Sequence, residues 1–248
     1  MSANTAAAIL RPEPFESGIL GGPVFRLSFP AQAASPGGDE VGLLVEEARR
    51  AGARLVSCRI PAARRELASV LERGGFRPIE TLVTYRRPLR PAPSVPPGVR
   101  PATAIDAAAC VAIARTAFGY DRYHVDPEIE RSAADEIKAK WVANAFAGRA
   151  DSIHVACESD AIAGFVICQL AGSEVTIDLI AVAQDKRGRG LGAELVAGAL
   201  RHYDGRAETM RAGTQASNLP SNRIYRRFNF AIIDEAVTFH LTPMARRE

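Results

Sequence analysis

No apolar stretch in the 248 residues reaches the roughly 18 needed to cross a bilayer, so no membrane partner is expected. Cysteine is scarce and unpatterned: Cys58, Cys110, Cys157 and Cys168 form no C-x-x-C pair, and each sits among apolar residues. They read as reduced core thiols of a cytoplasmic protein, which sets aside zinc ribbons and disulfide scaffolds. Histidine is equally sparse, and His124, His154, His202 and His240 are too scattered for a metal site. An excess of one charge is missing too. Lys plus Arg number 31 against 28 acidic residues, a net charge of +3 with no long basic run, so nucleic acid is not an expected partner. The first ten residues carry no basic n-region before their Ala-rich run, so no signal peptide is expected. What remains, 47% hydrophobic and 24% charged, is the composition of an ordinary globular protein of one large or two small domains.

The most informative segment is Arg187-Gly188-Arg189-Gly190-Leu191-Gly192. The β-branched run 175–182 precedes it, and 193–200, rich in helix formers with apolar residues at helical spacing, comes after it. A strand thus enters a glycine-rich turn that opens a helix. Such a turn gathers unpaired N–H groups at the positive end of a helix dipole, which suits a phosphate. Lys186, Arg187 and Arg189 add positive charge nearby. The residue three after Gly190 is Ala193, which departs from the G-x-G-x-x-G of dinucleotide folds, and no Gly-Lys-Ser/Thr closes a P-loop. A tight turn that merely packs a helix on a sheet stays open at this point.

Five prolines in the eleven residues 88–98 read as a stiff extended linker. Before it the patterns predict strands at 23–29, 53–60 and 76–86, and helices at 41–51 and 62–73. After it they predict helices at 104–118 and 130–146 and strands at 152–158, 161–170 and 174–182. The loop helix then runs to about 202, with a strand at 208–213, a short helix at 220–227 and a last strand at 230–242 beyond it. An internal repeat offset by 154 positions relates 56–87 to 210–241. It aligns Gly75-Phe76 with Asn229-Phe230, Leu71 with Tyr225, and Thr84-Tyr85 with Thr238-Phe239.

The pattern Val182-x-x-x-x-Arg187-x-x-Gly190-x-Gly192 resembles the acetyl-CoA pyrophosphate loop of the GNAT superfamily of N-acyltransferases. Asn218, with Tyr225 seven residues on and Asn229-Phe230 beyond, is similar to that superfamily's second motif. Departures are Gln184 for the usual proline, Asn222 for alanine, and Asn229 for glycine, the last mild because Asn tolerates a left-handed turn. The resemblance implies an α+β GNAT fold, a mixed and mostly antiparallel sheet flanked by helices. It places a catalytic domain at 99–248 after a linker at 89–98, with 1–88 a partial, non-catalytic GNAT-like lobe. The implied cosubstrate is acetyl-CoA, with no metal. Its binding residues would be Ile180, Ala181 and Val182 through their backbone, the loop residues Arg187, Gly188, Arg189, Gly190, Leu191, Gly192 and Ala193, and Asn218 and Tyr225. Tyr225 is the implied acid for the leaving thiolate, since a phenol near pKa 10 can protonate a thiolate near 8.5. Packing at a helix end and helix capping are the plainer readings of Tyr225 and Asn218. Asp178 matches the place of an acidic general base, and a solvent-facing or salt-bridged carboxylate is its alternative.

The acceptor is read from 118–129, which holds Tyr120, Arg122, Tyr123 and His124. Aromatic rings and a guanidinium could stack on a base or sugar and hold a diphosphate. With Trp141-Val142-x-Asn144-Ala145 and Gly213-Thr214-Gln215, this segment resembles the bacterial dTDP-fucosamine acetyltransferases of the superfamily. The implied substrate residues are Tyr120, Arg122, Tyr123 and Gln215, and the implied partner is a nucleotide-linked 4-amino-6-deoxy sugar. A protein or peptide N-acetyltransferase, a CoA-binding sensor without turnover, and a homodimer all stay open.

Overall fold

The computed structural model describes residues 8–29, 38–94, 98–159 and 161–243. Contacts divide the chain into two compact units. One holds Met1–Leu82, Val125–Ala133 and Glu235–Glu248, and the other Val83–His124 and Ala134–Asp234.

The elements of the first half are β1 (Ile9–Pro12), α1 (Pro14–Leu20), β2 (Val24–Ser28), α2 (Gly38–Arg50), β3 (Leu55–Pro61), α3 (Arg65–Arg73) and β4 (Arg77–Pro88). The second half adds β5 (Val99–Pro101), α4 (Ala107–Ala117), α5 (Arg122–Val125), α6 (Arg131–Asn144), β6 (Ser152–Glu158), β7 (Ala161–Ala171), β8 (Glu174–Val182), α7 (Leu191–His202), β9 (Thr209–Gln215), α8 (Leu219–Arg227) and β10 (Ala231–Leu241). Periodicity located the long elements to within a few residues. It missed β1, α1, β5 and α5, which are short and lie beside proline or polar turns.

In the first unit β1 pairs antiparallel with β2, β2 runs parallel to β3, and β3 pairs antiparallel with β10 from Val56↔Leu241 to Pro61↔Ala236. Val41, Val45 and Ala48 of α2 and Leu67, Val70 and Leu71 of α3 bury one face each against Val56, Cys58, Phe76 and Phe239. Desolvation there pushes the Cys58 thiol up to about 12, as for an inert core cysteine.

In the second unit the strand order is β4-β9-β8-β7-β6-β5, with β8 parallel to β9 and the β5–β8 pairs antiparallel. Only the 83–88 part of β4 belongs to it, and Leu89 N–H donates to Glu208 O at 2.9 Å. Helices cover both faces of this sheet. The apolar face of α7 (Leu191, Leu195, Val196, Ala199) packs on Val166, Cys168, Val175 and Ile177. On the other face, Cys110, Ile113 and Ala114 of α4 and Val142 of α6 pack on Phe165, Ile167, Leu179 and Ala181. Residues 165–168 alternate between these two cores, as a pleated strand must. Residues on β8 do not keep one phase. Val175 and Ile177 belong to the α7 side, yet Leu179 and Ala181 belong to the α4 side. The cause is a β-bulge: Ile167 pairs with Leu179 and Cys168 with Ile177, which leaves Asp178 as the extra residue.

The Pro-rich stretch expected as a linker contains Leu89, which is fully buried, and Pro91, whose carbonyl accepts from Arg87 at 2.8 Å; residues 95–97 lie outside the described residues. No helix among the described residues is long and apolar enough to cross a membrane. Cys58, Cys110 and Cys168 are buried free thiols and Cys157 is half-buried and free.

Candidate active site

The site grows from the parting of β8 and β9. Their parallel register runs from Glu174↔Thr209 to Ile177↔Ala212 and stops, although β8 continues to Val182 and β9 to Gln215. Asp178 lies at that point, so the bulge and the opening coincide. On its other edge β8 stays paired with β7 through Val166↔Ile180, Phe165↔Ala181 and Gly164↔Val182. Ala183 N–H donates to Ala163 O at 2.8 Å. Because backbone groups alternate sides along a strand, Ala181 turns its N–H and C=O toward β7, while Ile180 and Val182 turn theirs toward the opening. Of the three backbone positions implied by resemblance, two therefore face the gap and Ala181 does not.

Past β8 the chain makes one 3-10 turn (Gln184–Lys186) and enters the glycine loop. Gly188 and Gly190 take φ values of +80° and +87°, left-handed conformations that a Cβ would penalise. Gly192 has a different reason: a Cβ there would meet Ile224 Cδ1 at 3.0 Å, so its absence lets α7 approach α8. Ala193 and Glu194 donate to Gly190 O at 2.9 and 3.1 Å and start the helix. The N–H groups of residues 188–192 have no acceptor among the described residues. Charges near the loop are arranged otherwise than the sequence suggests. Lys186 and Arg189 both pair with Glu158, each at 2.8 Å, and these hydrogen bonds hold the Glu158 carboxyl below its ordinary range. Arg187 donates to Ala117 O, and through Nε to Val182 O at 3.4 Å. The loop's donors are thus mainly backbone, with the guanidiniums as flanking structure.

Helix α8 carries the second motif. Asn218 caps it, its Oδ1 accepting from Ser221 N at 3.3 Å. Asn222, one turn on, is buried, and its Nδ2 donates to the carbonyls of Asn218, Gln215 and Ala216 at 2.8, 3.0 and 3.2 Å. Its Oδ1 accepts from Tyr85 Oη at 2.8 Å. Tyr225 is buried in the core on the same helix face, its ring centroid 5.4 Å from both Tyr85 and Phe230. Burial raises its phenol above the ordinary tyrosine value, so it remains protonated across the neutral range. Asn229 adopts φ 58°, the left-handed turn its substitution for glycine requires.

Asp178 is mostly covered and salt-bridged. Its Oδ2 accepts from Trp141 Nε1 at 3.0 Å and from Arg149 at 2.5 Å, and the Arg149 guanidinium lies 5.4 Å from the centre of the Trp141 ring. Behind Trp141, the buried Lys138 ammonium sits 5.1 Å from the rings of Trp141 and Phe118 and 3.5 Å from Asp121. Burial alone would raise the Asp121 carboxyl, but Lys138 and the His124 hydrogen bond outweigh it and bring it down to about 2. The His124 side chain is fully enclosed between Asp121 (2.7 Å) and Asp135 (3.1 Å), so it is a structural group rather than a sugar contact. Arg122 stacks on Tyr123, 4.5 Å from the ring centre, and donates to its hydroxyl. Tyr123 is buried, and of the four aromatic and basic residues from 120 to 124 Tyr120 is the exposed one. Gln215 ends β9, and its carbonyl is held by Asn218 N at 2.9 Å. An open cleft of about 490 Å³ lies between α4 (Ala112, Ile113, Thr116) and the turn after β8 (Ala183, Gln184, Asp185). Among the described residues no group of three or more His, Cys, Asp or Glu could hold a metal ion.

Sequence reasoning missed three groups: Tyr85 and Asn222, which hold each other, and Arg149, which pairs with Asp178. The Tyr85–Asn222 contact is 137 positions apart in the chain and had no local signature.

A parted strand pair opening onto a backbone anion cradle, inside a mixed sheet with helices on both faces, fits the GNAT fold expected from the sequence. Residues 113–230 match the sequence model of the acetyltransferase (GNAT) family, and the chain therefore carries a GNAT acetyltransferase domain. The spore coat polysaccharide biosynthesis protein SpsD of Bacillus subtilis (strain 168) is 30% identical over 139 residues, 56% of this chain; that match spans 48% of the relative's own length. Among solved structures, a GCN5-related N-acetyltransferase from Sphaerobacter thermophilus shares the fold with TM-score 0.65 at 20% identity, over 95% of this chain and 76% of that one. A tandem GNAT protein from the clavulanic acid biosynthesis pathway does so with TM-score 0.60 at 14% identity, over 92% and 77%.

Proposed function

We propose that the protein transfers the acetyl group of acetyl-CoA to the amine of a small acceptor, by direct attack within a ternary complex. The observation that carries this reading is the parting of β8 and β9 beside the unpaired N–H groups of residues 188–192. A free strand edge leading to a nest of donors suits an amide-bearing arm that ends in a pyrophosphate. Ile180 and Val182 would pair with the arm's amides, residues 188–192 with the pyrophosphate, and the Asn218 side-chain amide with the arm. Acetyl-CoA supplies the activated acyl group.

The remaining steps belong to this chain's own side chains. Asp178, fixed by Trp141 and Arg149, stands at the opening and takes the proton that the amine nitrogen loses, directly or through a water. The nitrogen–carbon bond forms as the carbon–sulfur bond breaks. Tyr225, kept neutral by burial, gives its phenolic proton to the departing sulfur. For the acceptor we favour a nucleotide-linked 4-amino-6-deoxy sugar. The polysaccharide biosynthesis in the Bacillus relative's name supports it, as do the exposed Tyr120 ring and the half-exposed Arg149 guanidinium, suited to stacking and to a phosphate. In this reading residues 1–88 bind no acetyl-CoA of their own.

The test is a thiol-release screen with acetyl-CoA against dTDP-, UDP- and GDP-linked amino sugars, peptides and polyamines. Release with the 4-amino-6-deoxy sugar nucleotides above all others is expected. Release with peptides alone overturns the acceptor assignment, and silence with every amine despite CoA binding overturns the transfer itself.

A further inference from the structure

We propose that Tyr85, from the strand that ends the N-terminal repeat, is a positioning residue for Tyr225. The inference rests on the reading of Tyr225 as the acid given above. By chain order Tyr85 belongs with the first 88 residues, yet it lies in the unit that holds β8, α7 and α8. It is fully buried there, and its two ends do different things. The ring packs on Tyr225 at 5.4 Å with an interplanar angle of 37°, and Phe230 meets Tyr225 at the same distance, so the Tyr225 ring has two aromatic neighbours. The hydroxyl donates to Asn222 Oδ1 at 2.8 Å. That bond fixes which way the Asn222 amide faces, and so aims Nδ2 at the carbonyls of Gln215, Ala216 and Asn218. Those carbonyls are the turn from β9 into α8, the turn that sets where Asn218 and Tyr225 stand.

Two residues along, on the same side of β4, Arg87 grips the other end of α8. Its guanidinium donates to Phe228 O at 2.7 Å and lies 5.9 Å from the centre of the Phe230 ring. One strand therefore clamps the helix at its first turn and at its last. A lone packing tyrosine would need only the ring. The buried hydroxyl with a dedicated acceptor is what points to positioning, because an unsatisfied buried polar group is costly and, among the described residues, this one is satisfied by a residue of the α8 motif.

The experiment is a double-mutant cycle of Tyr85→Phe and Tyr225→Phe in the full chain. Turnover is measured by thiol release with the dTDP-linked 4-amino-6-deoxy sugar, or with the amine that the screen identifies. Tyr85→Phe keeps the ring and removes the hydroxyl. Its expected effect is a fall in kcat of about tenfold, with KM for acetyl-CoA changed less than about twofold. In the Tyr225→Phe background the same change should have no further effect on kcat, because the group it positions is gone. An equal fall in both backgrounds means Tyr85 acts on stability or elsewhere, and overturns the proposal while leaving the acid in place. Wild-type kcat in Tyr85→Phe overturns it as well. Wild-type kcat in Tyr225→Phe instead removes the acid reading, and absence of turnover with every amine removes both.

Discussion

Residues 55–88 and 209–241 build the same strand–helix–strand scaffold twice, and the proposed chemistry belongs to one copy. The agreement extends to individual hydrogen bonds at the helix ends. Gly74 N–H donates to Val70 O, Gly75 to Glu72 O and Phe76 to Leu71 O, all at 3.0 Å. Their counterparts Phe228 to Ile224 O, Asn229 to Arg226 O and Phe230 to Tyr225 O measure 3.2, 3.0 and 3.0 Å. Both copies place a left-handed residue at the same step, Gly75 at φ 89° and Asn229 at φ 58°. Even the N-caps share a backbone conformation, Arg64 at φ −82°, ψ 60° and Asn218 at φ −80°, ψ 71°, but only Asn218 makes a side-chain cap bond. The copies differ along one helix face: Arg64, Ala68 and Leu71 in α3 stand where α8 has Asn218, Asn222 and Tyr225. They differ again in how far the neighbouring strand extends. β2 ends at Ser28, one residue past its last pairing with β3 at Leu27↔Cys58, whereas β8 continues through Asp178 to Val182 beyond its last pairing with β9. The same scaffold thus serves with and without the proposed site, and the two copies differ by three side chains and a freed strand edge.

The strongest way to break this comparison is at the paired positions Tyr225 and Leu71. Tyr225→Phe should lower kcat by about 1,000-fold, the scale of a lost general acid, with CoA affinity from calorimetry almost unchanged. Leu71→Ala, at a position with no exposure, should instead cost about 3 kcal/mol in a chemical-denaturation experiment, with turnover per folded molecule unaltered. Next in size are the caps. Asn218→Ala should raise KM for acetyl-CoA about tenfold, because it removes a proposed contact, and should cost about 1 kcal/mol of stability. Arg64→Ala, which removes no cap bond, should stay within about 0.5 kcal/mol. The smallest effect belongs to the left-handed turns. Asn229→Ala and Gly75→Ala should each cost about 1 kcal/mol in the same denaturation assay, while Asn229→Gly should change stability by a few tenths.

How much of this was legible in the chain depends on how local the cause is. The strand–loop–helix at 175–202 could be read because β-branched residues, glycines that must turn left-handed and helix formers each announce themselves within a few positions. The repeat could be read because Gly75-Phe76 and Asn229-Phe230 mark the same turn. Asp178 was singled out, but not the bulge that isolates it, since the buried pattern of β8 alternates without a break while the faces exchange. Lys186 and Arg189 read as added charge beside the loop, but their pairing with Glu158 could not be read because that residue lies on a different strand. His124 lies in the segment from which the acceptor is read, yet it is locked between two aspartates, one of them eleven positions away on α6. Tyr85 and Asn222 meet only after the chain has folded, and no spacing rule reaches that far.

The central claim, that one copy of the scaffold holds the cosubstrate, is tested most directly by amide hydrogen exchange with and without CoA. Slowed exchange is expected at residues 180–193 and at the β9–α8 turn around 215–222, with 55–76 unaffected. Equal protection of 55–76, or protection that leaves the loop at 188–192 unchanged, would contradict it.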